Sequence, residues 1–200
     1  MDWFKYEKEA IASGFKTVCG IDEAGRGPLA GPVFVAAVIL PVDTAIDGLN
    51  DSKKLSEKNR EKLFDEIIKN AVSYSICSVD EKTIDEINIL EATKLGMRNA
   101  AKSLSVNPDV ALIDGNQYPG LSVEERTIIK GDSLSSSSAG ASILAMVSRD
   151  RFMLEIDKLY PEYQFSKHKG YGTKLHYEML DKYGVSPVHR ITFLKKYFAK

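Results

Sequence analysis

Cysteine, histidine and tryptophan are scarce in this chain: its 200 residues hold two, three and one of them. Cys19 and Cys77 both lie in apolar runs and share no C-x-x-C spacing. They read as buried, reduced side chains, which excludes a disulfide scaffold and favours the cytoplasm. His168, His176 and His189 stand eight and thirteen positions apart. No common zinc pattern has that spacing, so packing and polar contacts are the expected roles. The sequence also lacks any run of about eighteen apolar residues, the length a membrane span requires. Its charged first twenty residues, broken by Gly14, do not make a signal peptide. There is no internal repeat and no heptad, and a monomer is expected.

The hydrophobic content of 44% supports one buried core and one domain over residues 1–200. Net charge of −1 conceals an asymmetry: residues 151–200 carry ten Lys/Arg against five Asp/Glu, and the rest carries seventeen against twenty-three. The basic segment from about 160 to 200 could face a polyanion.

Short apolar runs at 17–21 and 33–40 read as strands, the second buried on both faces. Ser56 opens a helix with Leu63, Ile67, Ile68 and Ala71 on one side. A strand follows at 74–79, a helix from about Asn88 to Leu104, and a strand at 110–113. Ile128 and Ile129 belong to another strand, expected to end in Lys130-Gly131-Asp132. The stretch SLSSSSAGAS at 133–142 resembles a linker, but apolar positions continue after it at helical spacing. It reads as a helix made small enough to pack closely on a sheet. A last helix covers about 174–182. The pattern suggests a mixed sheet covered by helices.

Three expected strands end in acid: Asp22 with Glu23, Asp114, and Asp132. Ligand sites in such sheets lie beyond the carboxyl ends of the strands, so these acids could converge there. Converging carboxylates repel one another unless a cation compensates them, and an all-oxygen set suits Mg²⁺ or Mn²⁺. Glu23 is a difficulty, because consecutive strand side chains face opposite ways. It joins Asp22 only if the strand ends or bulges there. The loop that follows, Gly25-Arg26-Gly27-Pro28-Leu29-Ala30-Gly31, is one residue too long for a dinucleotide fingerprint, and Pro28 removes a donor. Its bare positions better suit close approach of backbone to a ligand, with Arg26 available for phosphate.

The chain resembles bacterial ribonuclease HII. The resemblance rests on GIDEAGRGPLAGPV, DSKKL at 51–55, LIDGN at 112–116, KGD at 130–132, SILA at 142–145, RDR at 149–151 and HKGYGT at 168–173. It implies the α/β ribonuclease H-like fold, a mixed five-stranded sheet flanked by helices with a helical C-terminal segment. It also implies an endonuclease that hydrolyses the RNA strand of RNA–DNA hybrids. Such an enzyme cuts on the 5′ side of single ribonucleotides embedded in duplex DNA, leaves 3′-hydroxyl and 5′-phosphate ends, and serves ribonucleotide removal. By position, the resemblance makes Asp22, Glu23, Asp114 and Asp132 ligands of two Mn²⁺ or Mg²⁺ ions. Gly25, Arg26 and Gly27 would read the 2′-hydroxyl, which distinguishes RNA from DNA. Tyr171 would pack on the next deoxyribose, and Lys53, Lys54 and Lys169 would meet substrate phosphate. The tail Phe193-Leu194-Lys195-Lys196-Tyr197-Phe198 is a candidate for docking on a replication clamp, with a frayed amphipathic end as the plainer reading. Only 21 residues precede Asp22, which favours ribonuclease HII over ribonuclease HIII with its extra N-terminal domain. Met146 departs from the family pattern, which has lysine there; a hybrid-binding protein with impaired catalysis is the alternative reading.

Overall fold

The computed structural model describes residues 2–42, 46–49, 52 and 55–199. Lys53 and Lys54 therefore lie outside the described residues. In chain order the elements are α1 (Lys5–Ala12), β1 (Val18–Ala24), β2 (Val33–Ile39), α2 (Glu57–Asn70), β3 (Ser73–Val79), α3 (Glu81–Lys102), β4 (Val110–Asp114) and β5 (Glu124–Ile128). A 3₁₀ turn at Gly131–Ser133 leads into α4 (Ser136–Leu159), followed by α5 (Phe165–His168), α6 (Lys174–Tyr183) and α7 (Lys195–Phe198).

The five strands form one sheet in the order β3-β2-β1-β4-β5. β1 pairs antiparallel with β2 and parallel with β4, and β4 pairs parallel with β5. β2 is buried along its whole length, as its unbroken apolar run requires for a strand covered on both faces. Its residues divide by parity: Ala36 and Val38 pack with α2 and α4, whereas Val35, Ala37 and Ile39 pack with Met97 and Ala100 of α3.

The serine-rich stretch is helix, as its periodicity implied, and its small residues bring it against the sheet. A Cβ at Gly20 would lie 2.1 Å from the Ser137 carbonyl carbon, and one at Gly140 would lie 3.3 Å from Val38. The hydroxyl of Ser135 caps α4 by accepting the Ser138 N–H at 3.2 Å.

Several elements differ from the sequence expectation. β1 runs on through Asp22, Glu23 and Ala24, held by regular pairing of Asp22 with Ala36 and Glu23 with Val35. β5 stops at Ile128, Ile129 is 71% exposed, and Asp132 sits in the 3₁₀ turn rather than at a strand end. α3 begins earlier, at Glu81, but is interrupted at Asn88, whose φ is +67° and whose side-chain oxygen accepts the N–H groups of Leu90 and Glu91. Asn88 thus caps the second half, where apolar periodicity alone places a helix start. α1 has no counterpart in the sequence reading. Among the described residues, no helix is long and apolar enough to cross a membrane.

Beyond α4 the chain folds back over the loop 25–32. The Leu29 N–H donates to Gly170, the Gly31 N–H to Val188, and the Arg190 N–H to Leu29, at 2.8 to 2.9 Å. Leu29, Ala30, Met153, Phe165, Leu180 and Leu194 form the apolar cluster beneath it.

Candidate active site

Parallel pairing of Ile21 with Ile113 puts the next residues, Asp22 and Asp114, side by side at the carboxyl edge of the sheet. Asp22 is 4% exposed and lies on the α4 side, where it accepts a hydrogen bond from the Ser142 hydroxyl. Ser142 in turn lies 2.8 Å from the hydroxyl of Ser52. Burial pushes the Asp22 carboxyl well above the usual carboxylate range, and the charges of Glu23 and Asp114 push it further. One Asp114 oxygen accepts the Gly131 N–H at 2.6 Å, which ties the turn carrying buried Asp132 to the end of β4.

Glu23 reaches this edge from the other face. The pleat of β1 turns its side chain toward α3, into a cleft of about 90 Å³ lined also by Arg26, Thr93, Met97, Asp114 and Asn116. Its carboxylate lies 3.3 Å from the Arg26 guanidinium. Asp22, Glu23 and Asp114 are thus within electrostatic reach of one another, while Asp132 is joined to them through Gly131. Among the described residues, no three carboxylates, imidazoles or thiols stand close enough together to enclose an ion as placed. The regular pleat contributes to this, because it sends Asp22 and Glu23 to opposite sides of the sheet.

The glycine loop begins immediately after β1. Gly25 has φ +93°, and a Cβ there would fall 2.1 Å from Arg149 Nε. Gly27 differs: its conformation is outside the left-handed region, and its Cβ would meet only Tyr171, at 3.8 Å from the ring. Arg26 and Gly27 are exposed, and the Tyr171 ring is half-exposed beside them. Loop, ring and acids therefore share one edge of the molecule. Lys169 lies further along, donating to the Ser166 carbonyl at 2.8 Å and drawing the Asp150 carboxyl down against the larger effect of burial, which pushes it up.

Two buried arginines to which the sequence reading assigned no role support the loop from inside. Arg190 donates to the carbonyls of Gly25 (2.7 Å), Arg26 (3.1 Å) and Gly31 (2.8 Å). Arg149 donates to those of Ala30 and Pro32, both at 3.1 Å, and its guanidinium lies 5.8 Å from the centre of the Tyr171 ring. Neither could be found by periodicity, because their partners are distant in sequence.

The three histidines are buried behind Tyr171 in packing and polar contacts. His176 Nδ1 faces the Tyr171 carbonyl at 2.9 Å and so carries the proton, which leaves Nε2 to accept from His189 Nε2 at 3.0 Å. His189 Nδ1 accepts the Ser186 N–H. Burial holds both imidazoles neutral, with pKa values lowered to about 4.

Comparison with known proteins identifies the family and the fold. The family model for ribonuclease HII matches residues 19–198. The chain belongs to the ribonuclease HII family. It is 56% identical over 194 residues to ribonuclease HII of Caldicellulosiruptor bescii, covering 97% of this chain and 94% of that one. The crystal structure of ribonuclease H2 from Pyrococcus horikoshii superposes with a TM-score of 0.75 at 29% identity, covering 92% of this chain and all of the other. Bst-RNase HIII, crystallised in complex with Mn²⁺, shares the fold with a TM-score of 0.74 at 16% identity, covering 92% of this chain and 69% of that one. As a ribonuclease HII, the chain is a metal-dependent endonuclease that degrades the RNA of RNA–DNA hybrids. The reading as an impaired binding protein falls away. Met146 lies half-buried on α4.

Proposed function

We propose that this cytoplasmic endonuclease cuts on the 5′ side of single ribonucleotides in duplex DNA as well as within longer hybrids, with Asp22, Glu23, Asp114 and Asp132 holding two divalent cations, Mn²⁺ or Mg²⁺. The observation that carries this reading is the shared edge: the open face of Gly27 and the Tyr171 ring adjoin the end of β1, where Asp22, Glu23 and Asp114 repel one another. The donor set fits hard divalent cations because it is all oxygen, and because Asp22 is buried among like charges that a cation would compensate. Ions of this kind, when bound in pairs, activate water and stabilise the leaving oxygen of an in-line displacement at phosphorus.

The remaining steps belong to the protein's own groups. The exposed Arg26-Gly27 backbone meets the ribose, where a side chain would keep the 2′-hydroxyl away. Tyr171 closes the far side of that sugar and bears on the deoxyribose after it. Gly131 holds Asp114 in orientation through its N–H, and the Ser142 hydroxyl does the same for Asp22. Lys169, with Lys167 and Lys174 in the basic segment, contacts the duplex backbone without reading bases.

The test is incubation with Mn²⁺ and a duplex holding one ribonucleotide in an otherwise DNA strand. A nick on its 5′ side with a 3′-hydroxyl end is expected. An intact strand at micromolar enzyme would contradict the proposal.

A further inference from the structure

The loop that adjoins the acids owes its orientation to one side chain from the far end of the chain. Arg190 is fully buried, and its guanidinium spans the carbonyls of Gly25, Arg26 and Gly31, so both peptides that flank Arg26 are pinned with their oxygens inward. All peptide bonds among the described residues are trans. In a trans peptide the N–H points opposite to the C=O. The N–H groups of Arg26 and Gly27 are therefore turned outward, toward the edge shared with Tyr171.

We propose that Arg190 is the positioning residue for ribose recognition, presenting the Arg26 and Gly27 N–H groups to the sugar-phosphate of the cut strand. The inference rests on the reading that this loop meets the ribose. The surroundings of the guanidinium argue for such a role over simple packing. It lies near the second buried arginine, Arg149, and burial together with that like charge lowers its pKa to about 9. Two neighbouring buried cations, offset only in part by the Glu81 and Asp85 carboxylates, are costly where apolar groups could fill the same volume, so their presence points to what they hold in place. Only the planar, five-donor fork of arginine reaches three separate oxygens; a lysine at this position reaches one or two of them. The segment carrying Arg190 is itself fixed from α3, where the Asp85 carboxylate accepts the N–H groups of Ile191 (2.7 Å) and Thr192 (3.0 Å).

The experiment uses the full chain, its Arg190→Lys variant, Mn²⁺, and a duplex whose cleavable strand is a short ribonucleotide tract followed by DNA. Product distribution is the chosen readout, because it does not depend on how much of the enzyme is folded. The unsubstituted protein should concentrate its cuts at one bond near the RNA–DNA junction. Arg190→Lys should spread them over neighbouring bonds and lower the single-turnover rate on the order of 10²-fold, as expected for misplaced groups, with duplex affinity nearly unchanged. An unaltered distribution with only a lower melting temperature would overturn the proposal and leave Arg190 a packing residue. Scattered cuts from the unsubstituted protein would instead sink the underlying reading of the loop, and this inference with it. If Arg190→Lys does not fold, Asp85→Asn loosens the same segment from outside; a spread distribution supports the role of Arg190, and an unchanged one opposes it.

Discussion

Gly27→Ala separates the fold of the loop from its use. The added Cβ would have the Tyr171 ring at 3.8 Å, an ordinary van der Waals distance, as its only neighbour within 4 Å. Gly27 is also absent from the positive-φ glycines, so alanine adopts its backbone without strain. Replacing glycine by alanine at such a position stabilises by about 0.4–1 kcal/mol, mostly by restricting the unfolded chain. In a domain of this size that is a rise of roughly 1–4 °C in melting temperature. Cleavage should move the other way. The methyl group occupies the face between loop and tyrosine that the sugar needs, and a displacement of about 1 Å at a reacting centre costs on the order of 10²-fold. Thermal unfolding and single-turnover cleavage of a one-ribonucleotide duplex, run on the same preparation, check both directions. A variant that keeps full activity would refute the claim that substrate approaches this bare backbone, and one that unfolds would refute the reading of Gly27 as open.

Three further outcomes follow from the same geometry. Gly20→Ala should destabilise by about 3 kcal/mol or more, since the new methyl meets the Ser137 backbone at 2.1 Å with no flexible atom to yield; an unchanged urea midpoint would contradict the close packing of α4 on β1. His176 and His189 have folded pKa values of about 4 against an ordinary 6.5, so the unfolded state takes up their protons first. Their neutral contacts contribute fully above pH 6.5, and stability should fall between pH 6.5 and about 4, which melting curves across that window would reveal. Asp114→Asn should abolish cutting yet retain duplex binding, because it removes a carboxylate and leaves the basic segment intact; persistent cutting would overturn its role.

Much of this was legible in the residues themselves. The unbroken apolar run of β2 announced a doubly covered strand, and apolar spacing after Ser142 identified α4 despite its serines. The convergence of Asp22 with Asp114 followed from strand ends alone, and the pairing of β1 with β4 accounts for it. Other features depend on contacts that no local pattern encodes. Arg190 meets Gly25 across 165 positions and Arg149 meets Pro32 across 117. α1 is a short amphipathic segment whose importance is tertiary: its buried Glu7 accepts from the Ser135 hydroxyl at 2.7 Å and the Ser137 N–H at 2.9 Å, capping α4 from another part of the chain. Asp132 was misplaced at a strand end because Ile129 reads as strand by composition. Instead the chain leaves the sheet after Ile128 and turns at Lys130, which has φ +61°. The pleat objection to Glu23 was sound, for the carboxylate does lie on the opposite face from Asp22, and it reaches the shared edge only because β1 ends one residue later.

The most direct measurement is a titration of Mn²⁺ into the full chain and into its Asp22→Asn and Asp114→Asn variants, followed by the loss of the free-ion electron paramagnetic resonance signal. Saturable binding that either substitution removes or strongly weakens is the expected result. Equal binding by all three proteins would contradict the assignment of these carboxylates as the metal ligands.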